Sequence, residues 1–111
     1  MSAPIDLDHL NRYVFGDAAL LSEVLGIFRE QLETVAGQMS PSMDAEAWYL
    51  AAHTLKGAAR GVGAWALGEA AERAEQLTEA SSEQRAAALK SIVDLSASAA
   101  DYARVLIGRA A

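Results

Sequence analysis

The sequence predicts an all-α protein, an antiparallel up-down-up-down four-helix bundle preceded by one short helix. Three observations carry this. Apolar residues recur in steps of three and four along four stretches, and no strand-like alternation competes with them. Several of these stretches open on a residue suited to capping a helix. The connections between them are short, which favours antiparallel neighbours. The 111 residues suffice for one domain with one real core, so residues 1–111 read as a single domain.

In order along the chain, residues 1–4 form a loose arm, and Asp6 or Asp8 caps a short helix reaching about Phe15, with Leu7, Leu10 and Val14 on its apolar side. Gly16 ends it, and Asp17 caps a long helix from Ala18 to about Met39. There Leu21, Val24, Leu25, Phe28, Leu32 and Val35 keep the helical period, with Arg29, Glu30 and Glu33 on the wetter side. Gly37 and Ser40-Pro41-Ser42 break the chain. Asp44 caps a helix from about Ala45 to Gly61 or Val62, whose buried face is Trp48, Ala51, Leu55, Ala58 and Val62. After Gly63 a helix covers about Ala64 to Ala80, burying Leu67, Ala70, Ala71, Ala74 and Leu77. Ser81 with Gln84 has the form of a capping box. The last helix runs to about Gly108, with Leu89, Ile92, Val93, Ala99, Ala103 and Leu106 inward.

Composition removes several classes of function. A formal charge of -6 argues against a nucleic-acid backbone as partner. The chain has 0 cysteines, which excludes disulfides, thiolate metal sites and thiol catalysis. Its longest wholly apolar run, Ala47–Ala52, is far below the roughly 20 residues that span a bilayer. With no basic start followed by an apolar stretch, the protein reads as cytoplasmic, and the Met-Ser opening reads as a natural start. An acidic bundle without an extra apolar helix face suggests a monomer. A haem or di-metal bundle needs convergent His or Glu ligands from several helices. Two histidines and no Glu-x-x-His do not supply them.

The stretch Ala52–Leu67 stands apart from this packing pattern. His53, Lys56, Gly57 and Arg60 share a helix stripe, and His53 points roughly opposite Leu55, so the imidazole is expected to be exposed with a cation one turn away. A glycine inside a helix costs about 0.8–1.0 kcal/mol relative to alanine. Gly57 carries that cost in an alanine-rich segment, and the space it leaves beside His53 supplies a reason: another macromolecule can bring a reactive group to the ring. Lys56, and Arg60 as a second cation, suit a phosphoryl group there.

A histidine followed at three, four and ten residues by Lys56, Gly57 and Gly63, with Ala52, Thr54 and Leu55 in the gaps, resembles the signature of the histidine-containing phosphotransfer (Hpt) domain family of phosphorelays. The resemblance implies a four-helix bundle in which His53 accepts a phosphoryl group from a receiver-domain aspartate and passes it to another. The expected partners are receiver domains of a hybrid histidine kinase and of a response regulator. A neutral imidazole, whose ordinary pKa is about 6.5, can use a ring nitrogen as nucleophile. The chain shows no carboxylate cluster on the His53 face for Mg²⁺ and no Gly-x-x-x-x-Gly-Lys-Ser/Thr loop for ATP. It is therefore expected to be a phosphocarrier without autonomous catalysis and without a bound cofactor, the partner bringing both Mg²⁺ and aspartate.

Tyr49, Leu50 and Ala64 are expected docking contacts beside Arg60. Family members often place a glutamine near the site from the following helix. The matching position here is Glu75, a departure, with Gln76 as the neighbouring substitute. Residue seven after the histidine is commonly small in related domains, so Arg60 is expected to tune partner choice. Trp48 and Trp65 read as packing residues, His9 as ordinary surface, and Gly63 as a helix end. The rival reading is a helical docking or inhibitor module for a kinase or response regulator that carries no phosphate.

Overall fold

Asp6, Asp17 and Asp44 each turn a carboxylate onto a backbone N–H of the first helical turn that would otherwise lack a partner, at 3.1, 3.0 and 2.8 Å respectively. The helices they open are α1 (Leu7–Tyr13), α2 (Ala18–Val35) and α3 (Ala45–Val62), followed by α4 (Trp65–Glu75) and α5 (Ser82–Ala110). A 3-10 turn over Ala36–Gln38 follows α2. The structure, a computed structural model, describes residues 3–110. Ser81 and Gln84 form the predicted reciprocal capping box, Ser81 Oγ accepting from the Gln84 N–H and Gln84 Oε1 from the Ser81 N–H.

Helix α2 packs on α3 and α5, and α4 packs on the same two, so these helices enclose one core while α1 lies on α3. The core is built from Leu25, Phe28, Trp48, Leu55, Leu67 and Ile92 with alanines between them. Each large side chain contributes about 1.5–3 kcal/mol by leaving water. The alanines let α3 and α4 approach closely: Ala52 and Ala59 on one helix and Ala71 and Ala74 on the other are fully buried.

Several expectations shift. The buried face of α3 is Trp48, Ala52, Leu55, Ala59 and Val62, with Ala51 and Ala58 only half-buried, so the face is turned toward α4. Val93 is 49% exposed because the inward stripe of α5 passes through Ile92 and Ser96. Helix α4 stops at Glu75 instead of continuing to Ala80. Tertiary contacts end it: the Trp48 indole donates to the Ala74 carbonyl at 2.7 Å, and Arg85 donates to the carbonyls of Leu77 and Thr78. Arg85 also reaches the Pro41 and Met43 carbonyls, pinning the α2–α3 and α4–α5 connections together. Helix α2 tightens into the 3-10 turn before Met39, and α5 runs past Gly108 to Ala110.

The predicted N-terminal arm falls partly outside the described residues, at positions 1 and 2, and Ile5 is already fully buried. Trp65 is not a core residue: it is 44% exposed, its indole N–H donating to Asp6 Oδ2 at 3.0 Å and its ring meeting His9 edge-on. His9 is accordingly not plain surface. Its Nε2 lies 3.2 Å from the Gly61 carbonyl. Gly63 ends α3 with φ +83°, a left-handed conformation that favours glycine, and a Cβ there would meet Asp6 backbone oxygen at 3.1 Å. The Asp6 N–H donates to the Gly63 carbonyl at 2.9 Å, so the start of α1 is fastened to the α3–α4 corner.

Candidate functional site

The turn of the α3 buried face toward α4 decides how the candidate residues are arranged. At about 100° per residue, Ala52 and Ala59 face α4, which leaves Tyr49, Lys56 and Arg60 on the flank beside α4. His53 and Gly57 point further outward, so the predicted stripe is splayed. The His53 side chain is 56% exposed, in agreement with its phase opposite Leu55. Gly57 is exposed, and a Cβ built there meets nothing within 4 Å, so the space beside the ring is open.

Glu75 occupies the centre of this arrangement although it is only 7% exposed. Its Oε2 lies 2.7 Å from His53 Nδ1 and its Oε1 accepts from Lys56 Nζ at 2.7 Å. Burial works to raise the Glu75 pKa, but the hydrogen bonds from Lys56 and His53 outweigh it, and the carboxyl is held below its ordinary value. An ionised carboxylate can only accept, so the proton between Glu75 and His53 belongs to Nδ1. In the neutral ring, Nε2 then carries the free lone pair and is directed away from Glu75. Tyr49 stacks on the imidazole, with ring centroids 5.6 Å apart and planes 14° from parallel.

Lys56, expected from sequence as a cation suited to a phosphoryl group on His53, has a side chain only 20% exposed and bound to Glu75. Arg60 crosses Gly68, where a Cβ would meet its Cγ at 3.2 Å, and pairs with Glu72 at 3.0 Å. Gln76 is exposed at the C-cap of α4, so Glu75 is the residue that reaches the histidine. Tyr49 and Leu50 are 42% and 55% exposed. Ala64 is fully buried and offers nothing to a partner: it follows the left-handed Gly63, and its N–H turns back to the Ala59 carbonyl at 2.8 Å.

Two features escaped the sequence reading. A shallow groove of about 200 Å³ runs beside Gly57 between α2 and α3, lined by Tyr13, Val24, Ile27, Gln31 and Gly61 among others. Ile27, 53% exposed, is the signal that could have marked it, as an apolar residue outside the α2 core stripe. At the α1–α2 turn Phe15 is 91% exposed with φ +54°, an uncommon conformation for a bulky side chain. Among the described residues no group of three or more His, Cys, Asp or Glu side chains is placed to hold a metal ion. No helix among them is long and apolar enough to cross a membrane.

The all-helical scaffold thus presents His53 outward, with a cation and a carboxylate beneath it. The family model of the Hpt domain matches residues 20–102, and the chain belongs to that family. Among solved structures, it is similar to the crystal structure of the histidine phosphotransferase ShpA from Caulobacter crescentus. The two share 40% sequence identity with a TM-score of 0.63, over 93% of this chain and 97% of that one. No curated protein matches the chain. Membership places it among the phosphocarriers of two-component phosphorelay signalling, which are not catalysts in their own right.

Proposed function

We propose that His53 is the phosphoacceptor, taking a phosphoryl group from the aspartate of one receiver domain and passing it to the aspartate of another. The observation that carries this reading is the state of the His53 ring. It is fixed by Glu75 at Nδ1, leaves Nε2 outward with its lone pair free, and stands beside the open space over Gly57. The attacking nitrogen bears no proton, so attack on a phosphoryl group requires no general base. Positioning and charge stabilisation do most of the work in phosphoryl transfer. In this reading the receiver brings the aspartate, the acidic pocket and Mg²⁺, while Lys56, one turn along α3 from His53 and bound to the same Glu75 carboxylate, stabilises the phosphoryl group. The chain acts in the cytoplasm as a monomer, and its partners are the receivers of a hybrid histidine kinase and a response regulator.

The docking surface in this reading comprises Tyr49 and Leu50 on one side of His53 and the groove edged by Tyr13 and Ile27 on the other. Arg60 lies at the margin, where its exposed pair with Glu72 can open at little cost. We further take the helices as an up-down-up-down bundle, which the successive Lys56–Glu75 and Arg60–Glu72 pairs support for α3 against α4.

The test is transfer of labelled phosphate, with Mg²⁺ present, from a panel of phosphorylated receivers to the protein and to a folded His53→Gln variant. Acid-labile, alkali-stable label on the wild type alone is the expected result. A panel that binds and never transfers would replace this reading with that of a docking module. In the same panel, Arg60→Ala is expected to change the ranking of receivers, and an unaltered ranking removes its role in partner choice.

A further inference from the structure

We propose that the Glu75 carboxylate keeps the phosphorylated His53 ring protonated at Nδ1, so that the phosphoryl group remains transferable at alkaline pH values where an unpartnered phosphoimidazole would hold it. The inference rests on His53 being the phosphoacceptor. It begins from a distance: 2.7 Å between Nδ1 and Oε2 requires one proton between the two atoms. Lys56 Nζ, at the same distance from the other oxygen, secures the carboxylate in its ionised form, so that proton stays on nitrogen.

The chemistry of the cycle follows from that placement. As Nε2 attacks, the Nε2–P bond forms, the P–O bond to the receiver aspartate breaks, and the aspartate carboxylate leaves with the electron pair. The ring, which already carried a proton on Nδ1, becomes a phosphoimidazolium cation. With a solvent-facing Nδ1, this cation can lose its proton, and the P–N bond could then break only by expelling an imidazolide anion, a poor leaving group. Here the lost proton would leave a nitrogen lone pair facing a carboxylate 7% exposed, which water cannot readily screen. The cation is therefore retained. On the return step the Nε2–P bond breaks, its electron pair returns to Nε2, and the neutral Nδ1–H ring is restored with no proton gained or lost.

A neutral glutamine could accept the same hydrogen bond from Nδ1–H but would not hold the cation by charge. The charged groups acting on Glu75 are Lys56 and His53, both on α3, while Arg60 is engaged by Glu72 of α4. Glu75 is thus a positioning residue through its geometry and a proton-retaining one through its charge, and the two roles separate experimentally.

The experiment phosphorylates His53 chemically with phosphoramidate, without any receiver, in wild type, Glu75→Gln and Lys56→Met. Nδ1 deprotonation of the phosphorylated ring is then followed by ¹⁵N and ³¹P NMR against pH. The expected midpoint in Glu75→Gln lies about one unit or more below wild type, the size of effect that a close opposite charge exerts. At pH values above both midpoints, release of the phosphoryl group slows by about tenfold for each unit of that shift. Lys56→Met removes the competing cation and is expected to move the midpoint upward, a direction that loss of packing would not produce. Coincident midpoints in wild type and Glu75→Gln overturn the proposal. A receiver panel that never labels His53, alongside the shifted midpoints, removes the relay reading and leaves this one standing.

Discussion

The guanidinium of Arg85 lies over the ring of Trp48, 5.0 Å from its centroid, although the two belong to different helices and both are buried. Stacking contributes about 0.5–2 kcal/mol in such a setting. The larger part of Arg85's role is its donation to the carbonyls of Pro41, Met43, Leu77 and Thr78. Arg85→Met keeps much of the volume and removes every one of these donors. It is expected to lower stability by about 2–4 kcal/mol. Urea denaturation measures this, and a loss below about 0.5 kcal/mol would mean that the clamp is ornamental to the fold.

Gly57→Ala separates stability from function. The added Cβ meets nothing and the helix gains about 0.8–1.0 kcal/mol of propensity. Under the proposed function, the same methyl occupies the space a receiver needs beside His53. The expected variant is thus more heat-resistant and slower to accept phosphate, both measured on one preparation. Equal transfer by the stabilised variant would dismiss the steric role of Gly57.

Acid should weaken the fold partly through Glu75. Its carboxyl is held below the ordinary value of 4.5, with burial opposing the shift and the bonds from Lys56 and His53 producing it. A lowered folded-state pKa gives stability that is full above the unfolded value and is lost as pH falls through the folded one. Asp6 adds to the same trend, because the Trp65 indole and the His9 N–H both hold its carboxyl low. Glu75→Gln is expected to be less stable than wild type by about 1–2 kcal/mol at about pH 6, a gap that closes toward about pH 3. Urea midpoints across that range decide it, and a gap that widens in acid contradicts the assignment.

The caps at Asp17 and Asp44, the box at Ser81 and Gln84 and the outward phase of His53 were legible in the sequence because each depends on residues within one or two turns. Glu75 was visible as a position but not as a contact. A carboxylate one place after the Ala70, Ala71 and Ala74 face of α4 ordinarily sits in water, and only the close approach of two alanine-lined helices buries it. The end of α4 was illegible for a similar reason. Nothing in residues 76–80 forbids a helix, and the partners that stop it, Trp48 and Arg85, come from other helices. Trp65 misleads in the opposite sense, its bulk suggesting core while its indole serves Asp6 at the surface.

Ser96 is 8% exposed and its hydroxyl has no hydrogen-bond partner among the described residues. Ser96→Ala removes an unpaired polar group and improves helix propensity. It should raise stability by about 1 kcal/mol. Thermal unfolding reads this directly, and a destabilised variant would show that the hydroxyl is satisfied in solution.

Gly63→Ala forces a side chain into left-handed backbone and against the Asp6 backbone oxygen. The conformational part alone costs about 1–2 kcal/mol. Exchange of the Asp6 amide hydrogen, whose acceptor is the Gly63 carbonyl, is expected to quicken in the variant. Unchanged stability and exchange would mean that the corner has more freedom than its contacts imply.

The fastening of Asp6 to Gly63 also bears on a distant point, because it holds one end of α3 at that corner. His53 sits about ten residues from that corner, or about 15 Å at 1.5 Å per residue. A swing of α3 against α4 of about one degree would move the ring by about 0.3 Å, enough to take a 2.7 Å contact from short to ordinary length. The Nδ1–Oε2 contact that fixes the imidazole thus answers to the far end of the helix as well, through a turn that touches neither His53 nor Glu75.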